Sequence, residues 1–174
     1  PNGVNKKIKI HPFSKQLCGK HRPGHFKSVV DVVDRFIKII KPSKIFLGEK
    51  DMQQLKLIEN FIKKKKIYTK VIGCKTVREK NGIACSSRNL LLTSKQKNIA
   101  SEIYKLLKDK KRNLVKKKIS INQLKNKINK KKIGRIDYLK IIDINKLFKP
   151  YKKIKNNKIF IAYHIGSVRL IDNI

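Results

Sequence analysis

Between Phe26 and Val77 the chain alternates two helical periods with two short β-branched runs, and this alternation limits its fold more than any other feature. Val29, Val30, Val33, Phe36, Ile37 and Ile40 recur at helical spacing. The helix they predict stops before Pro42, because the residue preceding a proline is pushed out of the α region. Lys44 to Leu47 is a β-branched and aromatic run that ends at Gly48 and reads as a buried strand. Leu55, Ile58, Phe61 and Ile62 mark a second amphipathic helix, with Asp51 placed to cap it. Tyr68 to Val77 reads as the second strand. Helix, strand, helix and strand joined by short links predict a parallel sheet and an α/β fold.

The pattern changes after Asn81-Gly82, a strong turn dipeptide. Thr93-Ser94-Lys95-Gln96 has the capping-box pattern, and the helix it opens carries Ile99, Ile103, Leu106 and Leu107 on one face. Ile119 to Ile133 predicts a further helix, strongly basic outside. Ile136 to Ile144 and Lys158 to Ile165 predict strands, with Ser167 to Ile174 as a third. The organisation expected is the end of a parallel α/β domain over residues 1–84, then a smaller α+β domain over 85–174. No internal repeat is present.

Of the 174 residues 40% are hydrophobic, enough for a packed core. No apolar run approaches the roughly 18 residues of a membrane span. Pro1 to Ile10 lacks the basic start, apolar block and small-residue site of a signal peptide. The chain does not begin with Met and reads as a fragment. Its formal charge of +35 would suit nucleic acid, since lysines and arginines displace counterions from phosphates. The excess is mostly lysine, however, and runs along nearly the whole chain. Lys63 to Lys66, Lys116 to Lys118 and Lys130 to Lys132 each interrupt or end an ordinary Ile/Leu-patterned segment. Lysine, isoleucine and asparagine rise together, as an AT-rich coding sequence would produce. A basic surface implies non-specific attraction, not a specific nucleic-acid partner. Cys18, Cys74 and Cys85 show no zinc or disulfide spacing, which leaves reduced thiols, a cytoplasmic location and no metal ligands as the expectation.

Two stretches carry chemistry. Gly48-Glu49-Lys50-Asp51-Met52-Gln53-Gln54 lies where a strand ends and a helix begins, the place where open α/β sheets bind ligands. Free amides and the positive helix end favour phosphate or carboxylate there. Lys50 supplies a mobile point charge for a phosphate chain, Asp51 an acceptor for ribose hydroxyls, and Gln54 an amide to orient a polar substrate. The plain alternative is that Asp51 only caps and Lys50 is one more solvated lysine. The second stretch, Thr76 to Asn89, contains Cys85-Ser86-Ser87-Arg88, whose hydroxyls, amides and guanidinium can grip a triphosphate. Its plain alternative is an interdomain linker whose Ser and Asn make turns.

Together, GEKDMQQL (Gly48 to Leu55) and GIACSSRN (Gly82 to Asn89) are similar to two signature segments of the pantothenate synthetase family, at matching separation. His21-Arg22-Pro23-Gly24-His25-Phe26 resembles the family's RPGHF segment, and Arg169-Leu170-Ile171-Asp172-Asn173 resembles its closing strand. The resemblance spans essentially the whole chain. It implies a Rossmann-like nucleotidylyltransferase domain followed by a small α+β lid domain. The implied reaction joins pantoate to β-alanine through pantoyl adenylate, with ATP as substrate and Mg2+ bridging phosphate oxygens. By the same resemblance Gly48, Glu49, Lys50, Asp51, Val77, Cys85, Ser86, Ser87 and Arg88 contact ATP. Gln54 contacts pantoate, and Lys50 and Arg88 stabilise the transferring phosphates. A homodimer is implied as well.

Two departures stand out. The family's HxGH-type motif and the upstream part of the substrate pocket do not occur in this sequence, so it resembles the C-terminal part of such an enzyme. A sheet without its first strands would expose an apolar edge, and poor solubility is expected of the fragment. His164-Ile165-Gly166-Ser167 mimics the motif but opens no obvious helix. Cys85 stands where larger apolar residues are common, and its contact is expected through backbone. His21 and His25 are spaced by four, yet Pro23 and Gly24 between them oppose a helical metal pair; a loop beside the pocket is the family-based reading. Tyr138, Tyr151 and Tyr163 form no stacking pattern for single strands. Besides the ligase, a basic nucleic-acid module and a decaying, inactive relative are the alternatives. The ordered family segments argue against the first, and the intact GEKD and SSRN segments against the second.

Overall fold

The computed structural model describes residues 8–148 and 154–174. Tyr151 and the first seven residues lie outside them. Two units, Pro1–Lys75 and Thr76–Ile174, make up the chain.

In the first unit a short turn, Pro12–Lys15, leads into the four-residue helix α1 (Cys18–His21) and then α2 (His25–Ile40). Strand β1 (Lys44–Gly48) follows, then a single 3-10 turn, Glu49–Asp51, and helix α3 (Met52–Lys64). Strand β2 (Lys70–Cys74) pairs with β1 in parallel, Lys44 opposite Lys70 and Gly48 opposite Cys74. The predicted strand from Tyr68 is shorter at both ends. Tyr68 is exposed, Thr69 is tied to the Pro42 carbonyl through its hydroxyl, and Val77 leaves the ladder. The core of this unit gathers Ile8, Val30, Ile37, Ile58, Phe61 and Ile62. Asp51 holds the N-cap position of α3 but makes no capping hydrogen bond, so the capping expectation fails.

The second unit begins at Thr76, nine residues before Cys85, where the second domain was expected to start. The reason is local pairing. Arg78 bridges Ala84 antiparallel, Cys85 N–H donates to Val77 O and Glu79 N–H to Ile83 O, closing residues 77–85 into a hairpin. Its turn needs Gly82, which has φ 93 and where a Cβ would stand 2.4 Å from the Tyr104 ring. Helix α4 (Ser94–Val115) starts with the expected capping box of Thr93 and Gln96. Helix α5 (Ile121–Asn129) is shorter than predicted and opens with a second box, Ser120 and Gln123. Strands β3 (Ile136–Asp143), β4 (Asn157–Ile165) and β5 (Val168–Asn173) form an antiparallel sheet in that order. The sheet and both helices bury one core that includes Ile103, Leu107, Leu124, Ile128, Ile159 and Ile161. Tyr163 belongs to that core and is not presented to any ligand.

Polar contacts fasten this sheet at two places. The Arg78 guanidinium is bidentate on Asp172, at 2.7 and 3.0 Å, donates to the Gly82 carbonyl at 3.0 Å and lies 4.2 Å from the Tyr104 ring centre. Burial works against its charge, but the hydrogen bond and charge of Asp172, with Tyr104, outweigh it and hold its pKa above the ordinary value. Asp137 is almost wholly buried, with Arg169 Nε at 2.7 Å, Arg135 Nε at 3.1 Å and His164 Nε2 at 3.3 Å. Gly166 and Ser167 are the two-residue link between β4 and β5. The HxGH-like sequence is therefore a hairpin end, with His164 on a structural carboxylate.

Losing one partner of the Arg78–Asp172 pair leaves a largely buried charge unmatched. Arg78→Met is expected to lower the unfolding free energy by about 2–3 kcal/mol, read from urea unfolding at neutral pH. Burial raises the Asp137 pKa, and the bonds and charges of Arg169 and His164 lower it more, leaving it depressed. Its contribution is thus present above the unfolded carboxylate value of about 3.9 and is lost as pH falls through the lower folded value. The stability difference between the protein and Asp137→Asn should be full at about pH 6 and shrink steadily below about pH 4.

Candidate functional site

The first unit presents the GEKD segment at the carboxyl end of its parallel strands. Gly48 closes β1 opposite Cys74, the chain makes the Glu49–Asp51 turn, and α3 starts at Met52. Glu49 lies over β2: a Cβ on Gly73 would sit 3.5 Å from Glu49 Oε1. Glu49 and Lys50 are half-buried, Asp51 is exposed and Gln54 is half-buried one turn along the helix. The structure thus brings Gly48, Glu49, Lys50, Asp51 and Gln54 together around one helix start.

Asp51 makes no hydrogen bond or ion pair with the described residues, although an N-cap aspartate ordinarily accepts from the helix amides. The first α3 amides are consequently not covered by it, and the carboxylate stays outward. Its charge reaches His25, the first residue of α2. Burial and Arg22 lower the His25 pKa, and Asp51 opposes them without cancelling the shift. The Arg22-Pro23-Gly24-His25 segment therefore borders the GEKD turn. His21 ends α1 and His25 opens α2, so the two histidines do not share a helix.

The second unit carries the other predicted residues. Val77 and Cys85 are backbone partners across the hairpin, Cys85 N–H to Val77 O at 3.0 Å, and both are exposed. Ser86 then caps a 3-10 turn, Ser87–Leu91, by accepting from Arg88 N–H. Ser87 and Arg88 are exposed on that turn. Asn89 behind them is buried, and its amide donates to Glu79 Oε1 at 2.6 Å and to the Ala84 carbonyl at 3.1 Å. This clamp shapes the turn without filling it. Val77, Cys85, Ser86, Ser87 and Arg88 are thus presented as one group. Sequence reasoning gave no role to Arg78 or Asn89, which hold that group in shape.

The chain matches the family model Pantoate-beta-alanine ligase over residues 2–174. It is 38% identical to the pantothenate synthetase of Sulfurihydrogenibium sp. (strain YO3AOP1), over 100% of this chain and 64% of that protein. With the pantothenate synthetase of Clostridioides difficile (strain 630) it shares 39% identity over 95% of this chain and 60% of the other. Among solved structures, the Francisella tularensis pantoate-beta-alanine ligase complexed with beta-gamma ATP and beta-alanine is 37% identical. It superposes with a TM-score of 0.79 over 100% of this chain and 59% of its own. The Thermus thermophilus enzyme gives a TM-score of 0.82 at 28% identity, over 64% of its length. The chain spans about three-fifths of the relatives it matches. On the family model and the relatives alike, this chain belongs to the pantoate-beta-alanine ligase family.

Proposed function

We propose that this chain supplies the nucleotide and pantoate side of an ATP-dependent ligase that condenses pantoate with β-alanine through pantoyl adenylate. The observation that carries the reading is the start of α3, where Asp51 is placed to cap and does not. That leaves an exposed carboxylate beside Lys50 at a helix start, a pairing suited to the ribose hydroxyls and phosphates of one nucleotide. The Francisella relative, solved with beta-gamma ATP and beta-alanine, supports ATP and β-alanine as substrates.

In this reading the pantoate carboxylate attacks the α-phosphorus of ATP and pyrophosphate leaves. The amine of β-alanine then attacks the acyl carbon of the adenylate, and AMP leaves. Gly48 to Asp51, Val77 and Cys85 to Arg88 bind ATP, with Cys85 contributing backbone. Lys50 and Arg88 stabilise charge on the transferring phosphates. Gln54, with two amide donors and an acceptor, orients pantoate. Positioning does most of the work, and no side chain becomes covalently bound. Among the described residues no three His, Cys, Asp or Glu side chains gather into a metal cage. Magnesium is assigned to the phosphate oxygens of ATP, its usual manner of binding. No helix among the described residues is long and apolar enough to cross a membrane, and a cytoplasmic homodimer is the accompanying assignment.

The test follows pyrophosphate and AMP from ATP in the natural full-length protein. Pyrophosphate is expected with pantoate alone, and sustained AMP release only with pantoate and β-alanine together. A folded protein that binds ATP yet releases neither would overturn the ligase. Lys50→Ala and Arg88→Ala should each lower kcat about 10²–10³-fold, the loss typical of one donor to a developing charge. Gln54→Ala should raise the pantoate KM about tenfold and leave the ATP KM unchanged, since it removes a contact to one substrate only.

A further inference from the structure

The paired glutamines of the α3 start have different surroundings. Gln54 is half-buried and assigned to pantoate, whereas Gln53 is 5% exposed and fully engaged by protein. Its amide nitrogen donates to the Phe13 carbonyl at 2.9 Å and to the Gln16 carbonyl at 2.8 Å. Its carbonyl oxygen accepts from the Cys18 N–H at 3.2 Å. A glutamine amide offers two N–H donors and one carbonyl, and here each is used, on backbone 35 to 40 residues earlier in the chain.

The segment so held does not rest in a relaxed conformation. Leu17, buried, lies at φ 47 and ψ −123, a region a leucine enters only when its surroundings force it. A Cβ at Gly19 would stand 1.7 Å from the Ser14 carbonyl oxygen, so only glycine allows α1 to pass that close to the preceding turn. His11 Nδ1 secures the other end by accepting from the Phe13 N–H at 3.2 Å. From α1 the chain continues directly through Arg22-Pro23-Gly24 to His25, which faces the charge of Asp51.

We infer that Gln53 is a positioning residue for the nucleotide-binding turn. It pins the strained Phe13–Cys18 segment to the first turn of α3 and so sets the Arg22–His25 segment against Asp51. The inference rests on the proposed binding of ATP at this turn, not on the chemistry that follows. Releasing the pin lets Leu17 relax, moves α1, and changes the surroundings of Asp51 without altering any residue assigned to a substrate.

The experiment uses the natural full-length protein with three substitutions. Gln53→Glu keeps size and acceptor but turns oxygens toward two carbonyls, Gln53→Met keeps volume and loses all three bonds, and Gly19→Ala displaces α1 while leaving Gln53 intact. Exchange of the Cys18 amide, the ATP and pantoate dissociation constants by calorimetry, and the melting curve are measured together. Each variant is expected to melt cooperatively, exchange Cys18 about tenfold faster and bind ATP about tenfold more weakly, with pantoate affinity little changed. Unchanged ATP affinity in any folded variant overturns the inference, as does faster exchange spread evenly over α3 and β1, which marks a general core contact. A wild-type protein that binds ATP but forms no AMP would remove the ligase reading and leave Gln53's role intact. Failure of the wild type to bind ATP removes both.

Discussion

Burial of α3 on most of its circumference is the constraint on which the first unit depends. Met52, Leu55, Leu57, Ile58, Phe61 and Ile62 are buried, and Gln53 and Asn60 with them. A helix enclosed in this way has no solvent face to spare for lysine. Lys56, within its middle, is ion-paired to Glu59 at 2.7 Å, and the next lysines come at its end. Each neighbour leans on it: β1 and β2 through the parallel crossover, α2 through the shared core, and the Phe13–Cys18 segment through Gln53. The helix start, and the chemistry assigned to it, is therefore fixed by apolar packing and a polar latch, not by a cap.

Scarcity of acids organises the rest. The chain has 46 lysines and arginines and 11 aspartates and glutamates, so a carboxylate is the limiting partner. Asp31 and Asp34 pair with Arg35 and Lys38 one turn along α2. Asp172 takes Arg78, Asp137 takes Arg135 and Arg169, and Glu79 accepts from Asn89. Asp143 accepts from the Asn145 and Asn156 N–H groups. Apart from the two pairs on α2, these contacts lie at the closure of the hairpin, in the β3–β4–β5 sheet and at the entry to β4. Lysines fill the exposed positions, where self-repulsion is screened by salt and costs little at any one site. The high charge is thus compatible with a specific fold because the largely buried side chains of Asp137 and Asp172 are each matched by arginine.

Local periodicity made most of the fold legible. The β1–α3–β2 unit follows from apolar spacing and from Pro42 and Gly48, and the start of α4 from its capping box. Ser120 and Gln123 repeat that box and would have placed the start of α5 equally well. The start of the second unit at Thr76 was less legible, because the 77–85 hairpin that sets it is fastened by Arg78 to Asp172, 94 residues on, a contact with no local trace. The site divides in the same way. Gly48 to Asp51, Gln54 and Cys85 to Arg88 were visible as motifs by their residue types. Gln53 was not, because a glutamine on a helix reads as solvated until its partners are known. Its position with Leu57 and Phe61 on one helix face is the only trace in the sequence.

The three long helices that begin with a capping residue allow a direct comparison. At α4 and α5 the hydroxyl and the glutamine satisfy each other's backbone in full. At α3 an aspartate, as good a cap as serine, stands in the same position and accepts no helix amide. A cap is worth about 1 kcal/mol, and it is forgone at one helix of three in a chain that elsewhere commits its carboxylates. Asp51 is also the acid that makes no hydrogen bond or ion pair among the described residues, with His25 within reach of its charge. An inward turn of that side chain would add stability; instead Asp51 ends the 3-10 turn that runs into α3 and makes no capping bond. Of α3, α4 and α5, α3 alone lacks the bond its N-cap side chain could make, and Asp51 stays exposed beside Lys50.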